Sequence, residues 1–302
     1  MRATGGFATL ACYSLSTFAQ TMVDHSQMVP AAASLAATFA WGMSDFLGGY
    51  ASRKANAFLL STITHVSGTA LMLGLALTLG SPIPARRSLG WAMAAGVLAG
   101  AALAVFYRAL AAGDMGLTAP VGAVLGAGIP TIVDMFTEGR PGGLRITGFL
   151  LAGLGIWLIS RREGKAGRPH GLAMAVLAGF GFAGYFLCIR QAGHGSVFWI
   201  AGTSRAVSFL TTVVLVLVTR QYRPMNLGGV GWGLLAGLLD VSGSAFFIRA
   251  SQAGRLDTAV VISSLYPAIT VLLARLILKE HFSRWRMAGM LAALLAVPLI
   301  AL

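Results

Sequence analysis

Residues 106–113 read FYRALAAG, and residues 247–254 read FIRASQAG. The same offset of 141 residues sets Gly148 on Gly289 and Gly96 on Gly237, and lays Phe39-Ala40-Trp41-Gly42 over Phe180-Gly181-Phe182-Ala183. With a slip of one residue, Thr118-Ala119 meets Thr258-Ala259 and Glu138 meets Glu280. One such match is noise, but a series through five apolar stretches is an internal duplication. The two copies occupy residues 28–160 and 169–302.

Outward from that repeat, ten apolar stretches approach the roughly 20 residues that a helix needs to cross a bilayer core about 30 Å thick. They lie near 30–50, 57–80, 89–111, 115–137, 145–160, 171–190, 196–219, 229–252, 258–278 and 286–302. The fifth and tenth are short and correspond to each other. The connections are brief, so successive helices are antiparallel hairpins with no inserted soluble domain. Arg161–His170 (RREGKAGRPH) is the most polar connection and the midpoint. An odd number of helices per copy forces the second copy to enter from the opposite face. The expected fold is therefore all-α integral membrane, with ten transmembrane helices arranged as two inverted five-helix repeats. That arrangement places a substrate site near the midplane between the repeats. Gly5–Val23 is rich in Ser, Thr and Gln and makes a poor signal peptide and a marginal span. Residues 1–27 are expected to be a disordered tail or an overcalled start, rather than an eleventh helix.

Composition agrees with a membrane class. Of 302 residues, 57% are hydrophobic and 10% charged, with a mean hydropathy of +0.79. A soluble domain carries about 25% charged residues; this chain could not cover itself with polar surface. The net charge of +13 comes in short clusters such as Arg53–Lys54, Arg86–Arg87 and Arg161–Arg162, each between apolar runs. Basic residues flank membrane helices in this way. No continuous basic face exists, which argues against nucleic acid. Cys12 and Cys188 form no CxxC spacing, and no metal or cofactor motif is present, so no cofactor is expected.

In Phe39-Ala40-Trp41-Gly42, Glu138-Gly139-Arg140, Tyr266-Pro267, Lys279-Glu280 and Arg284 through Gly289, residues 28–302 resemble an EamA-type transporter of the drug/metabolite transporter superfamily. The resemblance implies ten helices in two five-helix repeats. It also implies a multi-pass protein of the plasma membrane, the inner membrane in a bacterium, that exports amino acids, other metabolites or drugs. It names no substrate. Trp41-Gly42-Met43-Ser44-Asp45-Phe46 departs from the commoner pattern, which has small or amide residues after Trp-Gly. The Lys and Arg balance of alternate connections leans towards an outside N-terminus, whereas the resemblance implies an inside one.

Charged groups deep in a span are costly and are candidates for function. Asp45 and His65 stand at similar depth in one hairpin, about 12–14 Å from the same face at about 1.5 Å per residue. Arg205 and Asp240 stand at comparable depth near the midplane on adjoining helices. A buried charge needs a partner, so Asp45–His65 and Arg205–Asp240 are the expected pairs. In the functional reading, Asp45–His65 loads and unloads a proton that biases inward-open against outward-open states, and Arg205 holds an anionic group of a substrate. In the plainer reading both pairs only tie helices together. Trp41, Tyr185, Ser263, Ser264 and Tyr266 are expected to line the same space, since pockets combine aromatic walls with a few polar groups. Arg108, Arg249, Asp134 and Arg275 lie about a turn from helix ends and are expected to snorkel to the interface. Pro120, Pro130 and Pro267 are expected to interrupt helices four and nine. Gly96/Gly100 and Gly233/Gly237 are small-xxx-small pairs, explained by close helix packing or by a dimer face.

The function expected is a secondary transporter moving a small metabolite by alternating access, with a passive facilitator or channel as the alternative. Its expected partners are the lipid bilayer, a small-molecule substrate and protons, with no nucleic acid, the chain acting as a monomer or weak homodimer. An intramembrane enzyme would need a nucleophile–base or metal constellation. Of His25, His65, His170, His194 and His281, only His65 lies well inside a span, and no HExxH or GxSxG motif appears.

Overall fold

The computed structural model describes residues 30–301 apart from 114, 139–141, 161–170, 194, 222–225, 254–261 and 264. The N-terminal segment 1–27, the midpoint connection, Ser264 and the side chain of Asp134 lie outside the described residues. Among the described residues, the longer helices are, in chain order, α1 (30–52), α2 (Ala57–Thr78), α3 (Arg86–Ala112), α4 (Met115–Glu138), α5 (Gly143–Ser160), α6 (Leu172–Ala192), α7 (Val197–Thr219), α8 (Leu227–Ala253), α9 (Tyr266–Ile277) and α10 (Arg284–Ala301). No strand occurs among the described residues.

The helix starts are written in short polar residues. Asn56 caps α2, its side-chain oxygen accepting from the amides of Phe58 (2.9 Å) and Leu59 (3.2 Å). Asn226 does the same for Gly229 in α8 at 2.7 Å, and Ser283 for Arg286 in α10 at 3.2 Å. Each cap satisfies a backbone donor that the first helical turn leaves without a partner. Residues 262 and 263 are helical, Leu265 lies in a turn, and α9 starts at Tyr266. Pro267, expected to interrupt helix nine, therefore stands in the first turn of α9, where a missing N–H costs nothing. Pro120 and Pro130 do lie inside a continuous α4.

Among the described residues, five helices are each long and apolar enough to cross a membrane: Ala57–Thr78, Arg86–Ala112, Leu172–Ala192, Val197–Thr219 and Leu227–Ala250. Their outer faces carry apolar side chains such as Leu77, Leu177, Phe180, Leu210 and Val214, all exposed. Asp45, His65, Ser208, Arg205 and Thr270 are buried. Apolar outside and polar inside reverses the soluble pattern, and lipid is the solvent that accounts for it. The chain is a multi-pass membrane protein. Arg108, Arg249 and Arg275 are exposed near helix ends, as expected of interface anchors, and the Arg108 guanidinium lies 5.7 Å from the Phe58 ring centre.

The core is an arrangement of pairs. Helix α3 packs on α6 and α7, α2 on α7 and α8, and α4 on α6, α9 and α10, while α5 packs mainly on α10. Helix α1 inserts between α8 and α9: Ser44 donates to the Ala236 carbonyl (2.8 Å), and Thr270 donates to the Gly42 carbonyl (3.0 Å). The glycine pairs sit at crossings within the chain. A Cβ on Gly100 would meet the Ser208 carbonyl oxygen at 2.7 Å, and one on Gly237 would fall on the Thr64 carbonyl. With the backbones so close, Ser208 donates to the Gly96 carbonyl (2.8 Å) and Ser67 to the Leu234 carbonyl (2.9 Å). Cross-helix bonds of this kind are worth about 0.6 kcal/mol each in a membrane protein. Gly96/Gly100 and Gly233/Gly237 are thus filled by α7 and α2, and no dimer face is needed to explain them. Gly237→Leu should therefore cost about 1–3 kcal/mol by overpacking, read as a lower thermal unfolding midpoint in detergent. Gly231→Leu, where nothing stands in the way, should leave the midpoint unchanged, and equal effects at the two sites would contradict this packing.

One end of the bundle is tied by Glu280, between α9 and α10. Its carboxylate accepts from Arg53 Nη2 (2.7 Å) and from the backbone amides of Met115 (3.2 Å) and Gly116 (3.1 Å) at the start of α4. Arg53 also donates to the Gly113 carbonyl at 3.3 Å. An anion at a helix N-terminus joined to a cation at the end of α1 locks three elements together.

Candidate functional site

A cavity of about 60 Å³ lies in the middle of the bundle. Its polar wall is Asp45 from α1, Arg205 from α7, and Asp240 and Ser244 from α8. Its rings are Trp41, Phe182, Tyr185, Phe186 and Tyr266, and Ala99 and Leu103 of α3 complete it. A water needs about 10–15 Å³ of such space, so the cavity has room for only a few waters. A bound metabolite requires the walls to part.

Arg205 organises the polar wall. Its Nη2 lies 2.9 Å from Asp240 Oδ2 and donates to Ser244 Oγ at 2.7 Å. The contact at Oδ2 is Coulombic, since no hydrogen bond of good angle reaches that oxygen. Ser244 in turn donates to the Asp240 carbonyl one helical turn back, at 3.1 Å. The guanidinium lies 6.0 Å from the centre of the Tyr185 ring, within cation–π range. The expected Arg205–Asp240 pair is present, and the carboxylate that Arg205 holds in this state belongs to the protein.

Trp41 fixes the aromatic side. Its Nε1 donates to the Asp240 carbonyl at 3.1 Å, tying α1 to α8. Its ring centre lies 5.5 Å from Phe247, 5.8 Å from Tyr266 and 6.4 Å from Phe186, with Tyr266 and Phe186 edge-on. Such ring pairs each add about 0.5–1.5 kcal/mol beyond their area, so the aromatic wall is preorganised.

Asp45 and His65 do not pair. Asp45 is 8% exposed, faces the cavity and makes no hydrogen bond or ion pair among the described residues. His65 is fully buried, and neither imidazole nitrogen has a hydrogen-bond partner. Sequence spacing gives depth along a helix but not direction around it. At equal depth, α1 turns residue 45 into the cavity and α2 keeps residue 65 behind its wall. Ser263 is also off the wall, buried with its hydroxyl unpartnered. Six candidates therefore meet in one cavity: Trp41, Asp45, Tyr185, Arg205, Asp240 and Tyr266. Among the described residues, no three His, Cys, Asp or Glu side chains come together as a metal ion would need.

Several lining residues carry no signal of their own. Ser244 is one turn after Asp240, on the same face of α8. Tyr107 supports the site from beneath α1, its ring filling the space that a Cβ at Gly48 would take and its hydroxyl 3.5 Å from Ser44 Oγ. The rest follow from the repeat. At an offset of 141, Trp41 falls on Phe182, Asp45 on Phe186, Ala99 on Asp240 and Leu103 on Ser244, and all eight line the cavity.

Comparison with known proteins agrees with this architecture. Residues 169–302 match the model of the EamA-like transporter family. No curated protein matches. A solved crystal structure of a protein is similar in fold, with a TM-score of 0.62 and 17% identity, over 91% of this chain and 96% of that one. Taken with the apolar helices and the buried polar cavity, that match makes residues 169–302 similar to an EamA-like transporter unit of the drug/metabolite transporter superfamily.

Proposed function

We propose that the chain is a secondary transporter of ten spans, built as two inverted five-helix repeats. It would move a small metabolite across the plasma membrane by alternating access through the central cavity. The observation that carries this reading is the pairing of the lining positions at one sequence offset. A cavity whose opposite walls are repeat equivalents lies on the axis that would exchange the two halves, which is where such carriers bind. The helix contacts support the same symmetry. Packing of α3 on α7 has its counterpart in α8 on α2, and α3 on α6 has its counterpart in α8 on α1. The pairs α2 with α7, α4 with α9 and α5 with α10 are their own counterparts.

Export is the direction we propose, from the resemblance to exporters. Coupling to protons is proposed at Asp45, the one deep carboxylate that no group of the protein engages among the described residues. The test is flux in proteoliposomes with a mixed metabolite panel, with and without an imposed pH gradient. Wild-type flux should rise with the gradient, and Asp45→Asn should abolish that rise. Flux that ignores the gradient and survives the substitution would make the protein a passive facilitator.

A further inference from the structure

The repeat-related walls of the cavity are unlike in chemistry. Asp45 on α1 stands opposite the position of Phe186 on α6. Asp240 and Ser244 on α8 correspond to Ala99 and Leu103 on α3, and Arg205 corresponds to Thr64. Every carboxylate and guanidinium of the lining thus lies on the α1, α7 and α8 side, and the α3 and α6 side is apolar and aromatic apart from the Tyr185 hydroxyl. A symmetric fold has been given an asymmetric binding chamber.

The charges on the polar side do not balance. Arg205 is neutralised by Asp240 at 2.9 Å and donates to Ser244. Asp45 remains, more than nine-tenths buried, lining the cavity and without a hydrogen bond or ion pair among the described residues. The chamber carries one net negative charge when its carboxyls are ionised, and a buried charge demands a partner. The rings of Trp41 and Tyr266 line the same space, and aromatic rings attract cations. An anion would meet Asp45 uncompensated, and a carboxylate approaching Arg205 would also approach Asp240.

We propose that this site, read as the transport site above, takes organic monocations of amphipathic shape. The ammonium group sits against Asp45 between the rings of Trp41 and Tyr266. The apolar body lies on the Phe182, Phe186 and Leu103 wall.

A matched series isolates the charge: phenethylamine, phenylalanine, 3-phenylpropionate and 2-phenylethanol share a phenylethyl body and differ in head group. Binding to the purified full chain in detergent is read by titration calorimetry, and flux of the same compounds in proteoliposomes. Phenethylamine should bind at least about 10-fold more tightly than the other three, a difference of about 1.4 kcal/mol. Asp45→Asn, which breaks no contact in the protein, should remove that preference. Phenylalanine or 3-phenylpropionate binding as tightly as the amine would overturn the proposal. So would an amine preference that persists in Asp45→Asn, or no amine binding up to about 10 mM, weaker than the millimolar range of the poorest specific ligands. Asp45-dependent binding without flux would leave the ligand class standing and remove the transporter reading. Flux of the zwitterion or anion in preference to the amine would do the reverse.

Discussion

Replacing Arg205 with alanine is expected to cost about 3–5 kcal/mol of stability, because it strands a buried carboxylate. Among the described residues, Asp240 has its charge countered by this guanidinium alone, at 2.9 Å. Asp240→Ala should cost a similar amount by stranding Arg205, which is 6% exposed. The informative protein is the double variant. Removing both charges together leaves neither one unpaired, so its loss should be well below the sum of the two single losses. The coupling should fall in the range of about 0.5–3 kcal/mol seen for residues in direct contact. Thermal or denaturant unfolding of the four proteins in one detergent gives the cycle, and simple additivity would mean that the pair does not hold the cavity wall. Some of this loss would arise at Ser244, which would keep its bond to the Asp240 carbonyl but lose the Arg205 donor.

The second large effect is expected at Glu280. One carboxylate there serves three donors: Arg53 Nη2 and the amides of Met115 and Gly116. Glu280→Ala leaves two amides of the first turn of α4 without a partner and frees the end of α1. Hydrogen bonds to charged groups are worth about 1.5–3 kcal/mol, and an anion near a helix N-terminus adds about 0.3–1 kcal/mol at an exposed site. Relaxation and water recover part of this, so a net loss of roughly 2–4 kcal/mol is expected. Hydrogen exchange should report it locally, with Met115 and Gly116 losing protection while α6 and α7 keep theirs. Uniform loss of protection would argue instead that Glu280 supports the whole bundle. If the halves rock against each other during transport, this tie must break in each cycle. Glu280→Gln, which keeps one acceptor oxygen but no charge, should then fall between wild type and alanine.

Much of the architecture was legible before any coordinates. The helix class follows from composition and run length, since a bilayer leaves the backbone no other hydrogen-bond solution at these lengths. The structure shows Asn56, Asn226 and Ser283 capping helix starts, because a short polar side chain is the cheapest acceptor for the first free amides. The place of Pro267 in the first turn of α9 was not legible, because an apolar run marks what lipid tolerates rather than where a helix begins. The candidate site divides along the same line. Deep charge is rare enough in a membrane chain that Asp45, Arg205 and Asp240 stand out by type and position alone.

The sequence by itself therefore determined the helical membrane class and the height of each ionisable group along its helix, because these depend on one-dimensional spacing and on the cost of charge in hydrocarbon. Only the tertiary structure decided that Arg205 is occupied by Asp240 and Ser244, that Asp45 faces the cavity alone, and that His65 lies behind its wall. Those outcomes depend on rotation about each helix axis, which is set by how neighbouring backbones approach at Gly48, Gly100 and Gly237. A residue's number fixes its height in the membrane; the helices packed beside it fix where it points.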